Sequence, residues 1–387
     1  MRVVLNLEQL CSPVPGGIAR VAAELARLLP ERFPEDEYIG VVARHSAAEV
    51  SAMRERFGLT DLPIDVLAFP RPVLFEGWHW LGRPGWDRLI ARRGRVDVVH
   101  SPHAAVPPRA KGAALVVTIH DAATEVFPDA YPLHGRLFHR RGFVMAARRA
   151  DRVITVSQAA KAEILAHTPI GSDLIEVVRS GVAELRSSAV ETSAARARLG
   201  LGENPLITWV GTMEPRKNLV TLLDAFAGLV REITNARLVL IGPDGWKGVG
   251  EQIRARSAVL GDRVVFAGRC SDAERNALIA TSDVFAFPSV HEGFGLPVLE
   301  AMQLGTAVLA SDIPAIAEVS SGAAQLVSSR DAGAWTTALV TLLRNPDARA
   351  ALAVRGSQVA AARRWAEVAD DTHAVYERAI ERARSRA

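Results

Sequence analysis

The sequence predicts an α/β protein made of two doubly wound, Rossmann-like parallel sheets. Short β-rich runs alternate with longer Ala-, Leu- and Arg-rich segments along the whole chain, the alternation pauses once near the middle, and it then restarts with the same rhythm. A chain of 387 residues that is 49% hydrophobic and 23% charged is long enough for two such domains with separate cores.

In order, the first series of strands is read near Arg2 to Leu7, Tyr38 to Val42, Ile64 to Phe69, Asp97 to His100, Leu115 to Ile119, Arg152 to Val156 and Ile175 to Val178. Each is a short apolar run bounded by polar residues, glycine or proline. Residues Ala183 to Glu203 carry no strand signal and include a short helix-prone piece, Ala194 to Leu199. The strands resume at Leu206 to Val210, Arg237 to Ile241, Arg263 to Phe266, Asp283 to Phe287 and Ala307 to Ala310, with Gln325 to Val327 as a sixth. Helices Ala332 to Leu343 and Pro346 to Arg364 follow by spacing and composition, then a helical tail headed by Trp365. The expected division is a first domain over 1–183, a linker over 184–204 and a second domain over 205–364. Ligands of such sheets lie outside the carboxyl ends of the strands, so a cleft between two facing domains would collect loops from both.

Composition narrows the function classes. The chain contains no run of eighteen apolar residues, and Met1-Arg-Val-Val-Leu-Asn-Leu enters a strand pattern rather than a signal peptide, which makes the cytoplasm the default expectation. Two cysteines, Cys11 and Cys270, support neither a disulfide framework nor a thiolate zinc site and are expected to be packing residues. A charge of +3 with a pI near 9.1 suits an anionic substrate or a loose attraction to acidic lipid, and is too weak to indicate nucleic acid.

The chemistry concentrates in Ser289-Val-His-Glu-Gly-Phe-Gly-Leu-Pro-Val-Leu-Glu300. Val284 to Phe287 reads as a buried strand, Pro288 stops it, and Leu296 to Gln303 resumes at helical spacing, which puts Glu292 in a loop and Glu300 on a helix. Gly293 and Gly295 let backbone N–H groups approach an anion at the helix N-terminus. One carboxylate can accept hydrogen bonds from a sugar while the other holds a ribose diol, so the segment reads as a sugar-nucleotide site. A second signal is Gly211-Thr-Met-Glu-Pro-Arg-Lys-Asn218, which follows a strand and precedes a helix. Gly211 permits the turn, Arg216 and Lys217 bring two cations that can neutralise a diphosphate leaving group, and Asn218 is expected to cap the helix with its side chain. In the first domain His120-Asp121 ends a strand and Gly16-Gly17 opens a helix; both are expected at the cleft.

In order along the chain, Gly16-Gly17, His120-Asp121, Val153-Ile-Thr-Val-Ser157, Arg179-Ser-Gly-Val182, the 211–218 loop, the 292–300 segment, Gly305 and Ser311-Asp312 together resemble the GT-B glycosyltransferases of retaining family 4 over almost the whole chain. The resemblance implies a GT-B fold in which Arg216 and Lys217 bind the donor diphosphate. Glu292 and the backbone of Gly293, Phe294, Gly295 and Leu296 would hold the donor sugar, and Glu300 the ribose. His120 would lie close to the transferred sugar and Gly17 near the phosphates. It also implies that the last helix returns to the first domain, which assigns 365–387 there. Many relatives carry an arginine directly after the glycine of the phosphate loop; this chain has Thr212 and supplies its cations at 216 and 217.

The implied reaction moves a hexose from a nucleotide sugar to a glycan or lipid-linked acceptor, with a slight preference for mannose from GDP-mannose. The leaving phosphate would take the acceptor's proton, Glu292 would position the sugar, and Lys217 would carry the larger electrostatic share. No cofactor and no metal are expected, since no Asp-x-Asp occurs; His100 and His103 are read as ending a strand rather than as metal ligands. The alternatives are a UDP- or dTDP-sugar donor, a binding protein without turnover, and a nicotinamide dehydrogenase. The last requires Gly-x-Gly-x-x-Gly directly after a strand, and neither sheet begins that way.

Three of the seven tryptophans fall between Phe69 and Trp86, with arginines interleaved. The segment can serve as an acceptor groove, as a peripheral membrane contact at the inner membrane face, or as core packing under the helix that precedes Asp97 to His100. The cluster His139-Arg140-Arg141 with Arg148-Arg149 is read as a solvated helix face.

Overall fold

A computed structural model describes residues 1–12, 16–86 and 93–386. The chain forms two compact units, Met1–Gly181 with Arg364–Ala387, and Val182–Arg363.

The first unit is a seven-stranded, all-parallel sheet. Its strands are β1 Arg2–Asn6, β2 Glu37–Val42, β3 Ile64–Val66, β4 Val98–Ser101, β5 Ala114–Thr118, β6 Arg152–Thr155 and β7 Ile175–Val177. Their order is β3-β2-β1-β4-β5-β6-β7. The second unit contains β8 Leu206–Val210, β9 Arg237–Ile241, β10 Val264–Gly268, β11 Val284–Phe287, β12 Val308–Ser311 and β13 Gln325–Val327, in the order β10-β9-β8-β11-β12-β13. Both are doubly wound. The central strands Leu-Ile-Thr-Trp-Val and Val-Phe-Ala-Phe are almost uninterrupted apolar runs because helices cover both faces of a parallel sheet. Helix Leu219–Leu229 buries Leu219, Leu222, Leu223, Phe226 and Leu229, one stripe at helical spacing.

The closing helix Trp365–Arg384 belongs to the first unit and packs against helix Gly17–Arg32 and β5. Tyr376 Oη lies 2.8 Å from His100 Nδ1, and Thr118 Oγ1 lies 2.9 Å from His100 Nε2. His100 is therefore a buried strap between sheet and terminal helix. Gly181 explains the Arg179-Ser-Gly-Val182 run: a Cβ there would come 2.7 Å from the Trp365 backbone nitrogen, so only glycine allows the close approach.

Three local expectations change. Residues 184–204, expected as a linker, contain helix Ala189–Arg198, opened by a Ser188–Glu191 capping box. That helix packs on Asp272–Ala280, and Ala195 and Leu201 join a core cluster with Leu206 and Val239, so the segment is built into the second unit. The Trp-rich segment divides: Trp78 and Trp86 are fully buried with ring centroids 5.4 Å apart, whereas Trp80 is 61% and Leu81 76% exposed. A π-helical turn, Gly77–Leu81, produces this by widening the spacing between side chains. Residues 87–92, part of the helix expected before Asp97 to His100, lie outside the described residues. Finally, Arg141 and Arg149 are not a solvated face. Arg141 donates to His79 O at 2.9 Å and Arg149 to Trp78 O at 2.9 Å, satisfying carbonyls of that turn; Arg140 and Arg148 are exposed.

Candidate active site

A doubly wound sheet opens a crevice where its strand order reverses, beyond the carboxyl ends of the strands on either side. In the second unit the reversal falls between β8 and β11. The chain leaving β8 forms the Gly211–Asn218 loop, and the chain leaving β11 forms the Pro288–Gly295 loop. These are the two segments singled out from sequence.

They are tied together at Glu292. Lys217 Nζ donates to Glu292 Oε1 at 2.7 Å, and Arg216 Nη1 donates to Glu292 Oε2 at 3.1 Å and to His291 O at 2.8 Å. Arg216 Nη2 also donates to Glu214 Oε1 at 2.6 Å, and Val290 N donates to Arg216 O at 3.0 Å. Lys217 Nζ further lies 5.4 Å from the Phe287 ring centroid. Burial alone would raise the Glu292 carboxyl, but the charges of Lys217 and Arg216 outweigh it and bring its pKa down to about 2. Glu292 is thus a carboxylate across the physiological range, able to accept hydrogen bonds and unable to donate a proton. Arg216 is locked by two carboxylates, whereas the Lys217 ammonium has three donors and gives one to Glu292.

Asn218 does not cap the following helix with its side chain. Its backbone adopts the left-handed region at φ 54°, and its amide donates instead to Pro288 O at 3.0 Å and Ser329 O at 2.7 Å. An asparagine tolerates that backbone and thereby staples three loops. Glu214, missed from sequence, is 3% exposed and orients Arg216. Its position two residues before the arginine was the available signal.

Gly293, Phe294 and Gly295 are buried and lead into helix Leu296–Gln303, whose N-terminus no side chain caps. Gly295 has φ 102°, a backbone conformation that favours glycine, and a Cβ there would come 2.6 Å from Ile316 Cδ1, which would have to shift. Glu300 lies on this helix and is 6% exposed. Gly211 leaves β8 beneath the Trp209 ring, which a Cβ would approach to 2.8 Å.

In the first unit the strand order reverses between β1 and β4. A cavity of about 430 Å³ opens there, lined by Gln9, Ile18, Arg71, Phe75, His103, His120, Asp121, Phe138 and His139 among others. His120 Nε2 lies 3.1 Å from Pro102 O; a carbonyl only accepts, so this nitrogen carries the proton and Nδ1 keeps its lone pair. Burial lowers the His120 pKa against the opposing effects of the Pro102 hydrogen bond and Asp121, and favours the neutral ring. Gly16 is the N-cap and Gly17 the first residue of the helix whose next residue, Ile18, lines the cavity. His103, read as a strand terminator, lies in the cavity wall, as do Phe138 and His139, which sequence reasoning did not place there.

Comparison with known proteins adds identity to this geometry. Residues 15–184 match the family described as Glycosyltransferase Family 4, and residues 204–345 match Glycosyl transferases group 1. The chain is 26% identical to the O-antigen chain mannosyltransferase B of Escherichia coli over 97% of this chain and 99% of that protein. It is 32% identical to the MMP alpha-(1->4)-mannosyltransferase of Mycolicibacterium hassiacum over 76% of this chain and 73% of that protein. The crystal structure of Anabaena Alr3699/HepE in complex with UDP-glucose superposes with a TM-score of 0.76 at 19% identity, covering 97% of this chain and 100% of that one. The fold is that of the GT-B enzymes, and the chain is a glycosyltransferase belonging to family 4.

Proposed function

We propose that the enzyme transfers mannose from GDP-mannose, with retention at the anomeric carbon, to a hydroxyl of a glycan or lipid-linked acceptor. The observation that carries the retaining reading is the state of Glu292: a carboxylate held between Lys217 and Arg216 at the strand-order reversal of the donor-binding unit. Two cations drain its nucleophilicity, so it serves better as an acceptor for sugar hydroxyls than as an attacking group. The route that remains is same-face transfer. The bond from the anomeric carbon to the diphosphate oxygen breaks, the acceptor oxygen forms its bond on the same face, and the leaving phosphate oxygen takes the acceptor's proton. Lys217 stabilises the charge that develops on the phosphate, assisted by the uncapped N-terminus of Leu296–Gln303, while Glu300 holds the ribose. These groups act without a metal. Mannose as the transferred sugar is supported by the names of two relatives, one matching 97% and the other 76% of this chain.

The acceptor is assigned to the first-unit cavity, where Phe75 and Phe138 offer apolar faces and His120, Asp121 and Gln9 offer hydrogen-bonding groups. A cytoplasmic enzyme resting on the inner membrane face is supported by the exposed Val73, Trp80, Leu81, Leu133 and Leu137, which lie on three elements, helices Arg71–Glu76 and Leu133–Arg149 and the π-helical turn Gly77–Leu81 that packs against both, and are flanked by Arg136 and Arg140. No helix among the described residues is long and apolar enough to cross a membrane.

A panel of GDP-mannose, UDP-glucose, UDP-N-acetylglucosamine and dTDP-rhamnose tests the donor by thermal shift and nucleotide release, and NMR of the product tests the anomeric outcome. Response to GDP-mannose alone with an α-linked product supports the reading. An inverted product removes the same-face route, and response to a different nucleotide removes the donor.

A further inference from the structure

Among the described residues, one group of three side chains drawn from His, Cys, Asp and Glu brings a ligand atom from each within 4.8 Å of the others: Glu8, Cys11 and His45. The grouping follows from local geometry. Glu8–Cys11 is a single 3-10 turn after β1, and in such a turn side chains three apart eclipse, so Glu8 and Cys11 project on one side. His45 arrives from the loop after β2, with Nε2 at 3.1 Å from Glu8 Oε1. Glu8 is 2% exposed and its Oε2 accepts the amide of Ala43 at 2.8 Å, which fixes the carboxylate with both oxygens facing the histidine, Oε2 lying 3.2 Å from Nε2. Cys11 and His45 are partly exposed, which gives an entry path.

We infer that Glu8, Cys11 and His45 form a binding site for a borderline-soft divalent cation of the zinc class. A thiolate, an imidazole and a carboxylate are the three donor types zinc accepts, and they disfavour magnesium and calcium, which take all-oxygen sets. Bond lengths of about 2.0–2.3 Å place neighbouring ligand atoms of a tetrahedral site about 3.2–3.8 Å apart. The Nε2–Oε1 pair is already near that spacing, and Sγ closes the set by a side-chain adjustment. On binding, the Cys11 thiol gives its proton to solvent and the neutral His45 ring carries its proton on Nδ1. Thiolate and carboxylate then balance the dication, and a fourth position stays open to water. The ion joins the turn after β1 to the loop after β2. Gln9, in that turn, lines the first-unit cavity, and the same segment leads to Gly16 and Gly17. The site is therefore a clamp beside the cavity, outside the groups assigned to the transfer step.

Untagged, chelator-treated full-length protein is titrated with CoCl2 and with ZnCl2 against a chromogenic competitor. The expected result is one saturable equivalent and a near-ultraviolet thiolate-to-cobalt band. Cys11→Ser abolishes that band and Cys270→Ser leaves it unchanged. Cys11→Ser and His45→Ala each weaken zinc by about a hundredfold or more, beyond what losing an outer-shell partner costs, and zinc raises Tm in wild type but not in Cys11→Ser. Absence of saturable binding in folded wild type, or a band that survives Cys11→Ser or is lost in Cys270→Ser, overturns the assignment.

Discussion

Lys217 Nζ and Glu292 Oε1 lie 2.7 Å apart, from loops on the two sides of the strand-order reversal. Both side chains are mostly buried, so the pair is shielded from solvent screening. The lysine is held where a diphosphate is assigned, yet only one of its partners is a carboxylate. Removing it leaves Glu292 still paired with Arg216. Lys217→Ala is therefore expected to fold with little change in Tm and to lose about a hundredfold in kcat, about 3 kcal/mol of barrier. Circular dichroism with nucleotide-release kinetics checks this; normal turnover in the folded variant sinks the role given to Lys217.

Glu292 makes a separate prediction about acid. Its folded pKa is lowered from 4.5 to about 2, so the native state binds fewer protons than the unfolded chain between those values. Its contribution to stability is present above pH 4.5 and is lost as pH falls through 2. Urea unfolding of wild type and Glu292→Gln at pH 7, 4.5 and 3 is expected to show a stability gap that is largest at pH 7 and narrows with acid. Glu292→Gln also leaves the mostly buried Lys217 without its carboxylate, while Arg216 keeps Glu214, and should cost about 3 kcal/mol at pH 7. A gap that does not depend on pH would contradict the low pKa.

Much of this site was legible because its signals are local. A strand stopped by Pro288, a glycine pair and a resumed helix are read within twenty residues, and parallel strands such as β8 and β11 announce themselves as apolar runs. The parts that escaped depend on distance in sequence. Arg141 and Arg149 look like a solvated basic face until the carbonyls of Trp78 and His79 are placed beside them. Glu8 and Cys11 meet His45 only because β1 and β2 are neighbours in the sheet. The helix-prone piece read at Ala194 to Leu199 begins five residues earlier, at Ala189, where Ser188 and Glu191 stand at capping-box spacing.

His100 predicts a second acid sensitivity, this time in the first unit. Complete burial lowers its pKa from 6.5 to about 3, and burial likewise lowers His103 to about 3 and His79 to about 4. These rings are neutral in the fold and charge in the unfolded chain, so stability falls as pH drops from 6.5 toward 3. Tyr376→Phe removes the hydroxyl 2.8 Å from His100 Nδ1 and is expected to cost about 1–3 kcal/mol at pH 7. Denaturant titration checks the cost. An unchanged midpoint would mean that the strap between sheet and terminal helix contributes nothing.

Trp80 and Leu81 test the membrane assignment because they can change without touching the core. Trp78 and Trp86 fill the interior, whereas Trp80 stands out from the π-helical turn, with Arg141 5.0 Å above its ring and its indole N–H donating to Glu76 at 2.8 Å. A ring held by these two contacts presents apolar surface and has less conformational entropy to lose on docking, a good arrangement for an interfacial anchor. The double variant Trp80→Ser, Leu81→Ser is expected to keep its Tm within a few degrees, to keep turnover on a soluble acceptor, and to lose about tenfold or more in binding to vesicles containing phosphatidylglycerol. Raising salt should weaken the wild type as well, since the flanking arginines contribute through screened charge. Vesicle binding that is equal in wild type and variant would remove this face as the contact and leave its exposed apolar groups without a role.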